Sequence, residues 1–214
     1  MNLCTCPAAQ ALTSIDAVTC PESFGQIQKI AFQRLRKANG DVNSFTSSAS
    51  ILLKASWTAK MAATDGTKIV ISPYVQAPSQ EAGGPRTFGG GNETLGGVEE
   101  IIGREPSTFN AVLRSVPQSV IKQLKALQCE AAAGNLGVFL FDENGKIEAI
   151  QDPTTPTTYY PIPIRALFIG SKIHGNFDAK DANTIQWQYP DNYSDNLAIV
   201  TPSDFNPLTD LNPA

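Results

Sequence analysis

Leu136-Gly137-Val138-Phe139-Leu140-Phe141 is the stretch on which the fold turns. A near-continuous apolar run of this length is too short for an ordinary helix and suits a strand buried on both faces. It ends at Asp142-Glu143-Asn144-Gly145, whose residue types fit a hairpin turn, and continues into Lys146-Ile147-Glu148-Ala149-Ile150 as a second strand. Immediately upstream, Val120, Ile121, Leu124, Leu127 and Ala131 recur on one helical face while Lys122, Gln123, Lys125 and Gln128 fall elsewhere. Pro117 suits the first turn and Gly134 the stop, so an amphipathic helix is predicted over about 117–133. Before the helix, Val98-Glu99-Glu100-Ile101-Ile102 and Thr108 to Arg114 flank Gly103-Arg104-Glu105-Pro106, which reads as a further hairpin.

Further upstream lies a glycine cluster, Phe88-Gly89-Gly90-Gly91-Asn92-Glu93-Thr94-Leu95-Gly96-Gly97. Gly91 and Gly96 stand at the spacing of a phosphate-binding loop, which then requires Lys and Ser or Thr. Gly97 and Val98 occupy those positions, so neither a phosphate-contacting lysine nor a metal-binding hydroxyl is present. The cluster is read instead as a pliable surface or interface loop. Pro73, Pro78, Gly83, Gly84 and Pro85 precede it, which extends the expected irregular loop over 73–97. A loop of that length is usually functional or ordered by a partner.

Ile27 to Leu35 alternates with apolar residues on both faces, as a strand contacted on both sides would. Ile51, Leu52, Ala55, Ala59 and Ala62 recur at helical spacing behind Ser48 and Ser50, predicting a second, shorter helix over about 48–63. Lys68 to Ser72, Ile162 to Ile169, Thr184 to Tyr189 and Leu197 to Val200 read as strands. The expected organisation is an N-terminal arm (1–22), one β-rich domain (23–200) and an extended C-terminal arm (201–214). The fold class is α+β, mainly an antiparallel β-sandwich or β-barrel with the two helices flanking it.

The chain has 214 residues, 42% of them hydrophobic, enough for one sizeable core. Its net charge of −4 argues against a protein whose task is to grip nucleic-acid phosphates. Lys29, Arg34, Arg36 and Lys37 form a small basic cluster, expected as a solvated strand end and turn. No apolar run reaches the roughly 18 to 20 residues of a membrane span, and no secretory signal is expected from the N-terminal sequence. Cys4, Cys6, Cys20 and Cys129 match no common zinc spacing and are expected as reduced thiols. The single histidine, His174, sits beside Gly175 in a predicted turn, with no nucleophile motif to serve. No catalytic, cofactor or metal site is therefore expected.

The order of segments resembles virion structural proteins of tailed bacteriophages and prophages of Bacteroidetes, most nearly a tail tube (major tail) protein. The resemblance is carried by Gly89 to Gly97, Ile101-Ile102-Gly103-Arg104-Glu105-Pro106, Pro117-Gln118-Ser119-Val120-Ile121-Lys122 and Ser203-Asp204-Phe205. It implies rings, commonly hexameric, that stack into a tube conducting DNA without specific binding, made in the bacterial cytoplasm and ending in the virion tail. Other tail proteins would be further partners, and a connector, ring or tail-completion protein is the nearby alternative. On this reading Phe88, Gly89, Gly90, Gly91, Asn92, Glu93, Thr94, Leu95, Gly96 and Gly97 are the subunit interface. The competing class is a soluble enzyme or ligand-binding domain whose glycine loop covers a pocket.

Overall fold

In the computed structural model, which describes residues 14–18 and 22–212, every residue of strand β7 (Leu136–Asp142) is buried. Alternation sends Leu136, Val138 and Leu140 into one core and Phe139 and Phe141 into a second. Gly137 is required between them, because a Cβ there would lie 2.7 Å from Leu35 Cδ2 and 2.8 Å from Pro161 Cβ. Three strands meet this one. β1 (Ile27–Arg34) pairs along its full length, while the other edge is shared by β8 (Ile147–Gln151) and β10 (Ile162–Ile169).

The remaining strands close a barrel-like circuit around the first core. β1 pairs with β2 (Ile69–Ile71), and the same stretch of chain continues along it through Ser72 N to Ile30 O and Val75 N to Gln28 O. It then becomes β3 (Gln76–Glu81), paired with β6 (Thr108–Arg114), which pairs with β11 (Ala182–Gln188), which returns to β10. β10 can serve both β7 and β11 because its register breaks between Arg165 and Phe168, where Ala166 adopts a φ of 51°. Helix α2 (Gln118–Ala132) lays Ile121, Leu124 and Ala131 on this core. Its C-terminus is a Schellman cap, with Asn135 N donating to Glu130 O and Gly134 N to Ala131 O, and Gly134 at φ 70°.

The second core forms on the outer face of β1, β7 and β8. Helix α1 (Lys54–Ala62) places Trp57 there, 4.6 Å from the Phe45 ring, 5.2 Å from Phe139 and 5.4 Å from Phe141. Its indole Nε1 donates to Ile51 O at 2.8 Å. β9 (Tyr159–Tyr160) and β12 (Leu197–Val200) extend the sheet beyond β8. The fold is thus α+β and mainly antiparallel.

The structure departs from the sequence reading in five places. β5 (Glu99–Arg104) pairs not with β6 but with β4 (Pro85–Gly89), so the hairpin lies one element earlier. In place of an irregular loop over 73–97, the structure has β3 and β4. Helix α1 begins at Lys54 instead of near Ser48, because its N-terminus is satisfied by Asp204 Oδ1 accepting from Lys54 N at 2.9 Å, a residue distant in sequence. The C-terminal segment is not an extended arm through 212: it forms the short α3 (Pro207–Asp210) and buries Leu211 in the second core. Lys29, expected to be solvated, is 2% exposed, its Nζ donating to Leu208 O and Asn212 Oδ1 and lying 4.4 Å from the Tyr74 ring centre. Most of the arm expected over 1–22 lies outside the described residues, as do Cys4, Cys6 and Cys20.

The chain divides into two compact units. One comprises Phe24–Gly83 with Pro106–Ala214 and holds the circuit and both cores; the other takes in the chain up to Ser23 and the hairpin of Gly84–Glu105.

Two titratable groups test this description. The buried Asp142 carboxylate accepts from Gly25 N, Asn144 N and Lys146 N at 2.7 to 2.9 Å, tying the β7–β8 turn to the start of β1. Asp142→Ala should lower unfolding free energy in urea by about 2–4 kcal/mol, with Asp142→Asn recovering part of it. Glu148, on β8, has its pKa pushed up to about 7 by burial, from an ordinary 4.5. Between those values the folded chain holds this proton more tightly than the unfolded chain does, so the group's contribution to stability falls as pH rises. Glu148→Gln should therefore stabilise by roughly 1–3 kcal/mol above pH 8 and by nothing below pH 4. Melting curves at the two pH values read the difference.

Candidate interaction surface

The hairpin β4–β5 is exposed on both faces. In the ladder Thr87 lies opposite Ile101 and Phe88 opposite Glu100, with a bulge at Ile102. Its apolar side chains meet solvent: Phe88, Leu95, Val98, Ile101 and Ile102 range from 53% to 104% exposed. Scattered single exposures of this kind are ordinary on a protein surface; five large apolar side chains within one hairpin are a concentration that makes it the candidate interaction surface among the described residues. Charge is also biased, since Glu93, Glu99 and Glu100 are the only charged residues from Thr87 to Gly103.

The tip is built by backbone geometry. Gly89, Gly90, Gly91, Gly96 and Gly97 all have positive φ, between 60° and 100°. Thr94 staples the loop: its Oγ1 accepts from Gly90 N at 3.0 Å and donates to Val98 O at 2.6 Å, while its carbonyl accepts from Gly97 N. A Cβ on Gly89 would fall 2.0 Å from Thr94 Cγ2. Of the residues expected from the sequence as an interface, Phe88 and Leu95 are the ones that present large apolar side chains, while Gly89, Gly90, Gly91, Gly96 and Gly97 give the tip its shape. Val98, Ile101 and Ile102 were missed as surface residues, because an apolar run reads as core wherever its partner strand is unknown.

The groups weighed for chemistry do not converge. His174 has a side chain 83% exposed, with Nδ1 3.8 Å from Asp181 Oδ1, and Asp181 also meets Lys172 at 3.1 Å. Gly175 N donates to Asp181 Oδ1, and that bond, with the Lys172 ammonium, holds the Asp181 carboxyl below its ordinary pKa. This is an exposed turn fastened by its own ion pairs. Cys129 is exposed on α2. Among the described residues no three His, Cys, Asp or Glu side chains gather as metal ligands, and no helix is long and apolar enough to cross a membrane.

No family model and no curated protein matches the chain. Two solved structures overlay on it at low similarity. A cryo-EM structure of the anti-feeding prophage (AFP) baseplate, 6-fold symmetrised, is 9% identical, with a TM-score of 0.35 over 88% of this chain and 98% of that one. A crystal structure of Hcp protein is 13% identical, with a TM-score of 0.20 over 75% of this chain and 88% of that one. At these scores neither likeness carries an argument about function.

Two substitutions separate loop shape from contact. Gly89→Ala should disorder the tip, read as lost amide-exchange protection at Gly90 and Gly97, whereas Leu95→Ser should leave that protection and the melting temperature unchanged, within about 0.5 kcal/mol.

Proposed function

We propose that this chain is a structural subunit of a phage tail or a related tail-like particle, and within that class a tail tube protein whose rings stack around a DNA-conducting lumen. The observation that carries the reading is the hairpin of Pro85–Arg104, whose exposed Phe88, Leu95, Val98, Ile101 and Ile102 suit burial against another subunit. The resemblance of the sequence to tail tube proteins, carried in part by the same hairpin residues, also supports it. A net charge of −4 suits a lumen that lets DNA slide through, since a basic wall would hold the phosphates. The circuit of strands in the larger unit uses up most of its own edges, so assembly is assigned to inserted segments in preference to open sheet edges. In this reading the working parts are interfaces and the chain has no catalytic role.

Negative-stain electron microscopy over a concentration series, with light scattering on the same samples, tests the proposal. Rings or tubes of constant diameter are the expected outcome. A uniform monomer at the highest concentration, with a melting temperature that rises on adding a small ligand, would replace it with the ligand-binding class.

A further inference from the structure

This inference rests on the assembly reading and names the segment that covers the hairpin. The smaller unit, made of the chain up to Ser23 and Gly84–Glu105, has no interior of its own: among its described residues none is buried. Two strands without an apolar cover are marginal in water, and a further strand or a packed layer is what stabilises such a ribbon. Apolar side chains stand on both faces. Phe88 lies opposite Glu100, and Val98 precedes Glu100 by two extended residues, so Phe88 and Val98 share one face while Thr87 and Ile101 share the other.

The rest of this unit is the N-terminal segment. Residues 1–15 carry no charged side chain, and Leu3, Leu12 and Ile15 with Ala8, Ala9 and Ala11 give the segment an apolar composition. Lacking carboxylates, it meets Glu93, Glu99 and Glu100 with no like-charge cost. Thirteen residues precede Ser14, the first described one. Extended, they span about 40 Å, about twice the length of a strand such as β5. The described part of the segment does not lie on its own hairpin: residues 14–18 are all exposed, Ile15 at 98% and Val18 at 84%, as are Phe88, Leu95, Val98, Ile101 and Ile102.

We propose that the N-terminal segment of one copy, residues 1–18, lies across the hairpin of a neighbouring copy and covers its exposed Phe88, Val98 and Ile101. The two surfaces differ, so the contact is heterologous: each copy gives its segment to one neighbour and receives a segment from another. Repetition of such a contact closes a ring or builds a stack. Because the covered side chains are apolar, the contact persists in salt that screens surface charge.

Full-length Val98→Cys, prepared once with natural nitrogen and once with heavy nitrogen, tests this. Val98 is exposed, and the native Cys4 and Cys6 supply thiols on the segment. The two preparations are mixed while dilute, concentrated until they assemble, treated with a short bis-maleimide, digested and read by mass spectrometry. Cross-links between the introduced thiol and Cys4 or Cys6 are expected, about half of them joining a light peptide to a heavy one, as exchange between copies requires. Cross-links that join only like-labelled peptides put the segment on its own hairpin and overturn the exchange. Cross-links to Cys129 alone, or none, in samples that assemble overturn the cover and leave the structural reading intact. A second variant, Leu12→Asp with Ile15→Asp, should keep the circular dichroism and melting curve of wild type while needing at least about tenfold more protein to assemble in sedimentation velocity. Assembly of that variant at the wild-type concentration overturns the proposal. A wild-type protein that never assembles overturns both this contact and the structural reading.

Discussion

Burial of β7 on both faces is the constraint from which the architecture follows. A strand with Val138 and Leu140 on one side and Phe139 and Phe141 on the other needs two apolar layers, and one sheet can supply only one of them. The inner layer comes from the circuit through β1, β2, β3, β6, β11 and β10, with α2 laid against it. The outer layer is assembled from segments far apart in the chain, Phe45, Ile51 and Trp57 from one end and Leu211 from the other. Lys29 belongs to the same arrangement: sitting on β1 under the C-terminal segment, its ammonium is satisfied by Leu208 O, Asn212 Oδ1 and the Tyr74 ring. Burial pushes its pKa down, as expected for a cation held by carbonyls without a carboxylate.

The hairpin of Pro85–Arg104 follows a different logic. The five glycines of its tip take positive φ, two of them, Gly90 and Gly97, donate to Thr94, and the large apolar side chains of the tip are turned to solvent. Among the described residues its apolar side chains have no covering layer of the kind that β7 has. That exposure is the observation on which the proposed contact between subunits rests.

Much of the fold was legible locally. The amphipathic face of α2, the alternation of Ile185, Trp187 and Tyr189, the two-sided strand β1 and the β7–β8 turn were all readable, because periodicity and turn chemistry are properties of neighbouring residues. The pairing of β5 was not. Ile101-Ile102 followed by Gly103-Arg104-Glu105-Pro106 looks like the first arm of a hairpin with β6, yet β6 lies between β3 and β11, and β5 turns back on β4. Gln76–Glu81 has almost no apolar signal and becomes a strand only because β6 offers it an edge. The start of α1 was hidden for a similar reason, as the group that satisfies Lys54 N arrives from Asp204. For the candidate site, the sequence located the glycine tip with Phe88 and Leu95 but not the exposure of Val98, Ile101 and Ile102 beside it.

What the sequence determined by itself is the set of elements with strong internal period, the α+β class, and the place of the glycine-rich tip, since each depends on residues within a turn or two of one another. The tertiary structure decided which strands are neighbours, which cation is buried, where the tail docks, and that Val98, Ile101 and Ile102 face water. Those outcomes depend on which distant segments compete successfully for the same edge or face. Strand pairing uses backbone groups that every residue shares, so local residue types do not encode the choice of partner.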